Sequence, residues 1–462
     1  MQAALEQAAQ LLNSGVTRKA AGDLDGALRD MLGTLELAPG WPEAHYNLGN
    51  LLVQRGDFAT AASAYRQSLD GRPGWPLAWN ALGTALRQGG DLAGSLEAHR
   101  QAVALAPEWS AAHHNLAVAL QRLDREAEAE EGFRRAIERD AEAAESHISL
   151  ALLLLKRGDF AAGWREFEWR FANSGAPANL EGRPQPVWQG EPLAGRTLLV
   201  CAEQGSGAQI QFLRFVPRLA ELGGRIFVEA PPNLARLFAS CPGIAGIVPL
   251  GEPCDEADLQ IPLLSVPRIL GTTLETLPTE IPYLSAPSEP RPDLDAALSP
   301  YRGDFKIGIA WSGNPFHCLN PDRSCSPADF AALGDLPGVR LFSLQFGDPY
   351  SQGIVSLAGS LGDFASTAAV MERMDLIVTV DTYTAHLAGA LGRPVWTLLH
   401  TPCDWRWMAG RDDTPWYPGM RLFRQPRPGD WPGVFRQVRA ALAVSPLSRR
   451  EGREAGREGP GE

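Results

Sequence analysis

The chain has 462 residues, of which 45% are hydrophobic and 21% are charged, and its formal net charge is -12. This length leaves room for about three domains, and the composition is that of a globular protein. The negative charge argues against a nucleic-acid partner, because phosphate backbones bind basic surfaces. No apolar run approaches the roughly 20 residues that are needed to cross a bilayer, so no transmembrane segment is expected.

The six cysteines are scattered, without a Cys-x-x-Cys pair or the regular spacing of a disulfide framework. Reduced thiols of this kind are typical of the cytosol, and we therefore expect a cytoplasmic protein. Residues 1–14 also lack the cationic region and the apolar core of a secretory signal peptide. The histidines of the first third show no metal-ligand spacing, and no metal cofactor is expected.

The first third of the sequence repeats with a period of 34 residues, which is the period of the tetratricopeptide repeat. Small residues such as Gly49 and Ala61, and large ones such as Tyr65, recur where each helix pair must stack on the next. The pattern predicts an α-solenoid over residues 1–171, with a divergent first unit and a last unit that starts near Ala144. Equivalent Pro-x-Trp triplets mark the ends of units at Pro39, Pro73 and Pro107.

A solenoid of this kind has a concave groove, which usually holds an extended peptide or a segment of another protein. We therefore expect a protein or peptide partner in the groove. The residues of the repeat motif are themselves expected to serve packing. Four ring-bearing residues share one repeat position and are expected to be structural rather than ligand-binding, namely His45, Trp79, His113 and His147.

Behind the repeats, the sequence changes to two successive strand-helix series. Each series begins with a short apolar strand, at Thr197–Cys201 in the first and at Lys306–Trp311 in the second. The pattern predicts an α + α/β chain, in which the solenoid is followed by two Rossmann-like α/β domains that face a cleft. The predicted segments are a linker at 172–195, a first domain at 196–285, a linker at 286–300, a second domain at 301–444 and a disordered tail at 445–462.

A β-α-β unit at residues 375–399 has the clearest functional pattern. Its strand Leu376–Val380 ends at Asp381-Thr382, a pair that can cap the following helix, which runs to about Leu391. Free N–H groups and the helix dipole at this point suit a phosphate group, and α/β sheets bind ligands at such strand ends. The same pattern also fits a capped helix in an α/β domain without a ligand.

A glycine turn, Gly205-Ser206-Gly207, follows the first strand of the first series. It matches part of a dinucleotide-binding fingerprint, but the third glycine is missing and no acidic strand end follows at the required distance. The pattern fits better a turn that simply needs glycine.

Several motifs of this sequence occur together in one class of proteins. They include Gly158-Asp159-Phe160, Glu168-Trp169-Arg170, Trp188-Gln189-Gly190, Glu203-Gln204-Gly205, Trp311-x-Gly313-Asn314-Pro315 with His317, Arg323-Ser324, Asp381-Thr382 with Ala385-His386, and Asp404-Trp405-Arg406-Trp407. On these motifs, the chain up to about Val444 resembles bacterial tetratricopeptide-repeat proteins with a glycosyltransferase domain similar to the heptosyltransferases (glycosyltransferase family 9). More distantly, it is similar to O-GlcNAc transferases, which join the same two modules.

The resemblance implies a GT-B fold, with an acceptor-side first domain and a second domain that holds a nucleotide-activated sugar. Sugar transfer requires that the charge of the leaving diphosphate is stabilised and that the acceptor hydroxyl loses a proton. For the first task, Arg323 is the expected cation and His386 is an expected hydrogen-bond donor. Asp381 is expected to cap the helix and contact a sugar hydroxyl. The expected nucleotide-sugar site comprises Gly313, Asn314, Arg323, Ser324, Asp381, Thr382 and His386, and the acceptor-side loop comprises Gln204, Gly205 and Gly207.

For the second task, the sequence departs from the family. Relatives usually have an aspartate, the expected base, where this chain has Ala208. An alanine cannot accept a proton, and Glu203 on the same loop is the candidate replacement.

The resemblance therefore leaves two functions open. One is a cytoplasmic glycosyltransferase that modifies a protein held in the repeat groove, for which the class implies flagellin as the acceptor. The other is a scaffold that keeps a nucleotide-sugar-binding fold but no longer transfers a sugar. The intact pattern around Arg323 and Asp381 favours the first function, and Ala208 favours the second.

Overall fold

The computed structural model describes residues 2–174, 183–314, 320–347 and 353–444. The chain forms two compact units, Met1–Leu153 and Leu154–Glu462, and each is described by itself. The predicted tail at 445–462, His317 and part of the predicted linker at 172–195 lie outside the described residues. Among the described residues, no helix is both long and apolar enough to cross a membrane.

The first unit consists of consecutive helices that pack in pairs, which confirms the predicted tetratricopeptide repeats. Its helices are α1 (Gln2–Ala20), α2 (Leu24–Leu37), α3 (Pro42–Gln54), α4 (Phe58–Gly71), α5 (Pro76–Gln88), α6 (Leu92–Leu105), α7 (Ser110–Arg122), α8 (Glu126–Arg139) and α9 (Ala144–Arg157), the last residues of which belong to the second unit.

Small residues at a fixed repeat position let the two helices of a pair approach closely. A Cβ atom on Gly49 would lie 2.5 Å from the Tyr65 ring, and one on Gly83 would lie 2.7 Å from the His99 ring. His99 takes the place of an aromatic residue, and burial lowers its pKa to about 4, so it packs as a neutral ring. An aspartate caps the second helix of three pairs, at Asp23, Asp57 and Asp91.

The four ring-bearing residues that share a repeat position make equivalent hydrogen bonds. Each ring nitrogen bonds a backbone carbonyl at the end of the preceding repeat, over 2.7 to 3.1 Å. These bonds connect successive repeats, in agreement with the predicted structural role. The pairs are His45 with Pro39, Trp79 with Pro73, His113 with Pro107, and His147 with Ala141.

The second unit begins with two short helices and then forms a four-stranded parallel sheet. The strands are β1 (Thr197–Cys201), β2 (Arg225–Ala230), β3 (Ile244–Pro249) and β4 (Leu259–Pro262), in the spatial order β3-β2-β1-β4. The helices are α10 (Phe160–Phe167), α11 (Arg170–Ser174), α12 (Ser206–Phe212), α13 (Val216–Glu221), α14 (Pro232–Phe238) and α15 (Val266–Ile269).

A six-stranded parallel sheet follows. Its strands are β5 (Phe305–Ala310), β6 (Val339–Ser343), β7 (Ile354–Ser356), β8 (Leu376–Val380), β9 (Val395–Leu399) and β10 (Met420–Arg424), in the spatial order β10-β9-β8-β5-β6-β7. The helices are α16 (Pro292–Leu298), α17 (Asn320–Arg323), α18 (Ala331–Gly334), α19 (Phe364–Glu372), α20 (Tyr383–Ala390) and α21 (Trp431–Val444). Every residue of β8 and β9 is buried, as in parallel strands that are covered on both faces.

The predicted fold class is confirmed, since a helical solenoid precedes two parallel α/β sheets. The sequence analysis did not identify β7 and β10. Residues 286–300, which were predicted as a linker, contain the helix α16.

Helix α10 belongs to the second unit, although the sequence predicts that the repeats extend to residue 171. Its Trp164 lies 5.8 Å from Phe212 and 5.5 Å from Trp405, measured between ring centroids. Phe160 lies 5.6 Å from Trp416 in the same way. These buried rings attach α10 to both sheets of the second unit, because aromatic side chains bury large apolar surfaces.

Candidate functional site

The six-stranded sheet has a crevice at the carboxyl ends of β5 and β8. The chain leaves β5 towards β6 on one side, whereas β8 lies on the other side, so the strand order reverses between β5 and β8. Ligands of parallel α/β sheets bind at this topological switch point. The loop after β5 begins at Trp311, and the loop after β8 begins at Asp381, so the predicted nucleotide-sugar residues come from both sides of the crevice.

Asp381 is buried at the end of β8, with 8% of its surface exposed. Burial raises the pKa of its carboxyl group, and the neighbouring charge of Asp404 raises it further. The indole N–H of Trp407 offsets part of this effect, although its geometry falls short of a hydrogen bond. A buried carboxyl group with a perturbed pKa in a crevice is typical of a functional site.

The helix cap predicted at Asp381-Thr382 is wrong. Thr382 occupies the N-cap position of α20 with an extended backbone, but its side chain makes no capping hydrogen bond. Ala385 donates its N–H to the Thr382 carbonyl, as in an ordinary first turn. The first N–H groups of α20 therefore have no hydrogen bond from the N-cap side chain.

Arg323 lies against the backbone of the loop after β5. A Cβ atom on Gly313 would lie 2.5 Å from its Nη2, so a larger residue there would push the guanidinium aside. Its Nε is buried and has no hydrogen-bond partner among the described residues. Ser324 donates to Ser312 at 3.2 Å, and Asn314 is exposed at the edge of the same loop. Of these predicted residues, Gly313 lies against the Arg323 guanidinium, while the Ser324 hydroxyl bonds within the same loop region.

His386 lies in the first turns of α20 and is neutral. Burial lowers its pKa well below the usual value, and the charges of Arg406, Arg214 and Arg323 lower it further. Its Nδ1 bonds the Tyr417 hydroxyl at 3.1 Å, and its ring stacks on Trp407 at 5.2 Å. A neutral imidazole in this place can donate a hydrogen bond to an anion but carries no charge of its own.

The four-stranded sheet has its own switch point, between β1 and β4, and Glu203 lies there. Arg170 of α11 donates to both carboxylate oxygens of Glu203 at 3.0 Å, and the Leu264 N–H donates to Oε1 at 2.6 Å. Arg170 also donates to the Ser265 hydroxyl at 2.8 Å. Glu203 is buried and accepts three hydrogen bonds, two of them from a cation, so these contacts favour a structural role. The catalytic role of Glu203 stays a prediction.

In the predicted acceptor-side loop, the glycines are not the residues with a left-handed backbone. The left-handed backbone falls on Gln204, at φ 59°, whereas Gly205 has φ -80° and serves as the N-cap residue of α12. A Cβ atom on Gly207 would lie 3.0 Å from the His386 ring and 3.4 Å from Tyr383 Cα. Gly207 is therefore required by the close approach of α12 to α20, and not by a turn.

Ala208 lies inside helix α12 rather than on the preceding loop, and 9% of its surface is exposed. The glycine turn ends before this position, because α12 begins at Ser206. An aspartate at 208 would therefore have to fit the packing of a helix.

Sequence reasoning gave no role to three residues that the structure places at these sites. Arg170 fills the first switch point, while Asp404 and Arg406 flank the second. Their only sequence signal was their position in two motifs rich in tryptophan, arginine and acidic residues, Glu168-Trp169-Arg170 and Asp404-Trp405-Arg406-Trp407.

Comparisons with known proteins agree with this division of the chain. Residues 12–76, 46–108 and 110–142 match tetratricopeptide repeat models, and residues 348–408 match the model of glycosyltransferase family 9 (heptosyltransferase). The second match contains Asp381, Thr382 and His386, but neither Glu203 nor Ala208. The chain thus contains tetratricopeptide repeats, and its C-terminal part contains a segment that matches glycosyltransferase family 9.

Among curated proteins, the chain is similar to Protein FlbA of Caulobacter vibrioides. The two are 28% identical over 324 residues, which are 63% of this chain and 53% of FlbA. The chain thus spans about half the length of the curated relative that it matches.

Solved structures give weaker likenesses. PilF of Pseudomonas aeruginosa is 20% identical with a TM-score of 0.35, over 38% of this chain and 79% of that one. MamA of Desulfovibrio magneticus RS-1 is 21% identical with a TM-score of 0.34, over 36% of this chain and 96% of that one. At such TM-scores these likenesses carry no argument.

Proposed function

We propose that the second unit binds a nucleotide-activated sugar at the switch point between β5 and β8, and that it transfers the sugar to a protein recruited by the repeats. The observation that carries this proposal is the buried Nε of Arg323, which has no hydrogen-bond partner among the described residues. A buried donor without a partner costs stability, unless a ligand supplies the acceptor.

The neighbours of Arg323 favour a diphosphate as that ligand. The N-terminus of α20 offers uncapped N–H groups, and His386 offers a neutral donor. Backbone N–H groups at a helix N-terminus and an arginine fork both suit phosphate oxygens. These groups can stabilise the charge of a leaving diphosphate, so the proposal includes no metal ion.

Transfer in the wild-type protein is proposed to be slow. Ala208 cannot accept a proton, and Glu203 is held by Arg170. A positioned general base contributes roughly 10²–10⁴-fold to such a reaction. The same observations favour the second candidate function, a scaffold in the cytoplasm that binds a nucleotide sugar without transferring it.

The donor proposal is tested by thermal unfolding of the full chain with a panel of nucleoside diphosphates and nucleotide sugars. A ligand of the native state raises the apparent unfolding temperature by mass action. At least one nucleotide should do so in the wild type, and Arg323→Ala should lose the effect. Arg421→Ala, which changes an exposed arginine on β10, is the matched control. A panel without any shift would contradict the proposal.

The acceptor proposal rests on the repeats and, for flagellin, on the family resemblance alone. The full chain is incubated with the nucleotide sugar that stabilises it and with purified flagellin, and the flagellin mass is measured. An increase by whole sugar residues supports transfer. Binding of the donor with an unchanged flagellin mass favours the scaffold or another acceptor, and a pull-down with the repeat unit distinguishes these two.

A further inference from the structure

Arg406 bridges the two α/β sheets of the second unit at the donor site. It lies in the single turn Trp405–Trp407, which follows β9, and 12% of its side chain is exposed. Its Nε donates to Oε1 of Gln211 at 2.7 Å, and its Nη2 donates to Oε1 of Gln204 at 3.3 Å. Both glutamines follow β1, so one guanidinium on the donor side holds two side chains of the acceptor side.

The same guanidinium lies within electrostatic reach of the donor groups. Its Nη1 donates to the Asp404 carboxylate at 3.1 Å. After burial, the charge of Arg406 is the strongest influence that lowers the pKa of His386, and it also lowers that of Asp381. An anion at the N-terminus of α20 would therefore meet two arginines, Arg323 and Arg406.

The hydrogen bonds of Arg406 leave one N–H of Nη2 for such an anion. A guanidinium has five N–H groups in a planar fork, and Nη2 uses one of its two for the contact with Gln204. At 3.3 Å this contact is longer than the bond to Gln211 and equals the second contact with Asp404, so it is among the weaker ones. The second N–H of Nη2 can take a phosphate oxygen while Nε keeps its bond to Gln211.

Gln204 itself is held in a backbone conformation that non-glycine residues rarely adopt, with φ 59°. Such a conformation persists only where the surrounding contacts impose it. The contact with Arg406 is one of these, and the Gln204 carbonyl also accepts from Gln209 Nε2 at 3.0 Å. The position of the acceptor-side loop thus depends on a residue of the donor side.

We propose that Arg406 is a positioning residue, which couples the binding of an anionic donor to the placement of the loop Gln204–Gly207. The proposal rests on the proposed function, since the anion is the donor diphosphate. A bound diphosphate gains a charge-assisted hydrogen bond from Nη2, and the fixed guanidinium holds Gln204 over the bound donor. Closure of the acceptor side then accompanies donor binding.

Inorganic pyrophosphate is the probe, because it carries the diphosphate without the unknown base or sugar. Its affinity for the full chain is measured by calorimetry, and hydrogen exchange of residues 203–212 is followed with and without it. In the wild type, pyrophosphate should slow the exchange of this segment. In Arg406→Gln, the affinity should fall at least about tenfold, and the segment should exchange faster even without the probe.

Gln204→Ala separates the two roles of Arg406. It should bind pyrophosphate within about threefold of the wild type, because the cation is unchanged, but the probe should no longer slow exchange in the loop. Arg421→Gln is the control for a lost surface charge, and it should match the wild type in both measurements. Gln204→Ala also keeps the test valid should Arg406→Gln fail to fold.

Two outcomes would overturn the proposal, and only the second would also overturn the proposed donor site. Binding and exchange in Arg406→Gln that equal those of the wild type would overturn the coupling and leave the donor site intact. Failure of the folded wild type to bind pyrophosphate at all would overturn the donor site together with the coupling.

Discussion

The two sheets of the second unit share the same strand arrangement at their switch points, but the chemistry there is opposite. In the four-stranded sheet, the crevice between β1 and β4 is filled by Arg170, which pairs with Glu203. In the six-stranded sheet, the crevice between β5 and β8 holds Arg323, whose buried Nε has no partner among the described residues. One crevice is closed by the chain itself, and the other is the one that we propose to hold a ligand.

The two crevices thus differ in the pairing of these two groups, although buried nitrogens without a hydrogen-bond partner also occur elsewhere among the described residues, for example Nε of Arg268 and Nε of Arg393. Buried polar groups in proteins are nearly always paired, so an unpaired one needs an explanation. The pairing of Glu203 explains its burial without any substrate. Asp381, by contrast, is buried beside Asp404 with a raised pKa, which costs stability in the absence of a ligand.

The largest expected effect comes from giving the acceptor side a base. Ala208→Asp should raise the rate of sugar transfer roughly 10²–10⁴-fold with little change in donor affinity, since a carboxylate replaces the missing proton acceptor. Ala208→Asn has nearly the same volume and no basic group, so it is the matched control. Equal rates in the two variants would show that position 208 does not serve proton transfer.

The next effect tests the closed crevice. Glu203→Gln removes the buried carboxylate that accepts two hydrogen bonds from Arg170 and leaves this arginine with Glu168 as its charged partner, so it should lower the free energy of unfolding of the second unit on the order of 1–3 kcal/mol. The additional change Arg170→Met should restore part of the loss, because it removes a buried charge that has lost one of its two carboxylate partners. Chemical denaturation measures both. Unchanged stability combined with abolished transfer would instead identify Glu203 as the base.

A smaller effect is the pH dependence of stability that Asp381 causes in the crevice between β5 and β8. The pKa of Asp381 is raised from 3.8 to about 6, chiefly by burial, so the folded protein holds this proton more tightly than the unfolded chain. Its contribution to stability is complete below about pH 4 and is lost as the pH rises through about 6.

Asp381→Asn removes this loss. At about pH 8 it should be more stable than the wild type on the order of 1–3 kcal/mol, and at about pH 4 the two should be equal. Thermal unfolding at both pH values measures the difference, and a difference independent of pH would contradict it.

The smallest effect concerns the contact between the two sides. Gly207→Ala places a methyl group 3.0 Å from the His386 ring and should cost about 1 kcal/mol of stability. Gly205→Ala has nothing within 4 Å of the added methyl group and a negative φ, so its effect should stay within about 0.5 kcal/mol. Equal losses in both variants would show that α12 does not press on α20.

Local patterns were readable from the sequence because the forces that set them are local. β1, β8 and β9 are short apolar runs bounded by polar residues, and they have the predicted ends. The repeat helices follow from a fixed period. By contrast, β7 has only three residues, of which one is buried, and this leaves almost no pattern to detect.

The site residues were partly readable for the same reason. Asp381 and His386 belong to one strand-helix unit, and their nearness follows from that unit alone. The pairing of Glu203 with Arg170 joins residues 33 positions apart on different elements, and no local pattern predicts it. Nor does the sequence indicate that Gly207 meets His386, because the contact depends on how two helices pack.

The most direct test is a calorimetric titration of the full chain with the nucleoside diphosphate that stabilises it most. The open crevice predicts that the wild type binds, that Arg323→Ala binds more weakly on the order of 1–3 kcal/mol, and that Glu203→Gln keeps the wild-type affinity. Equal affinity in Arg323→Ala and the wild type, or an equal loss in Glu203→Gln, would contradict the assignment of the donor site to the crevice between β5 and β8.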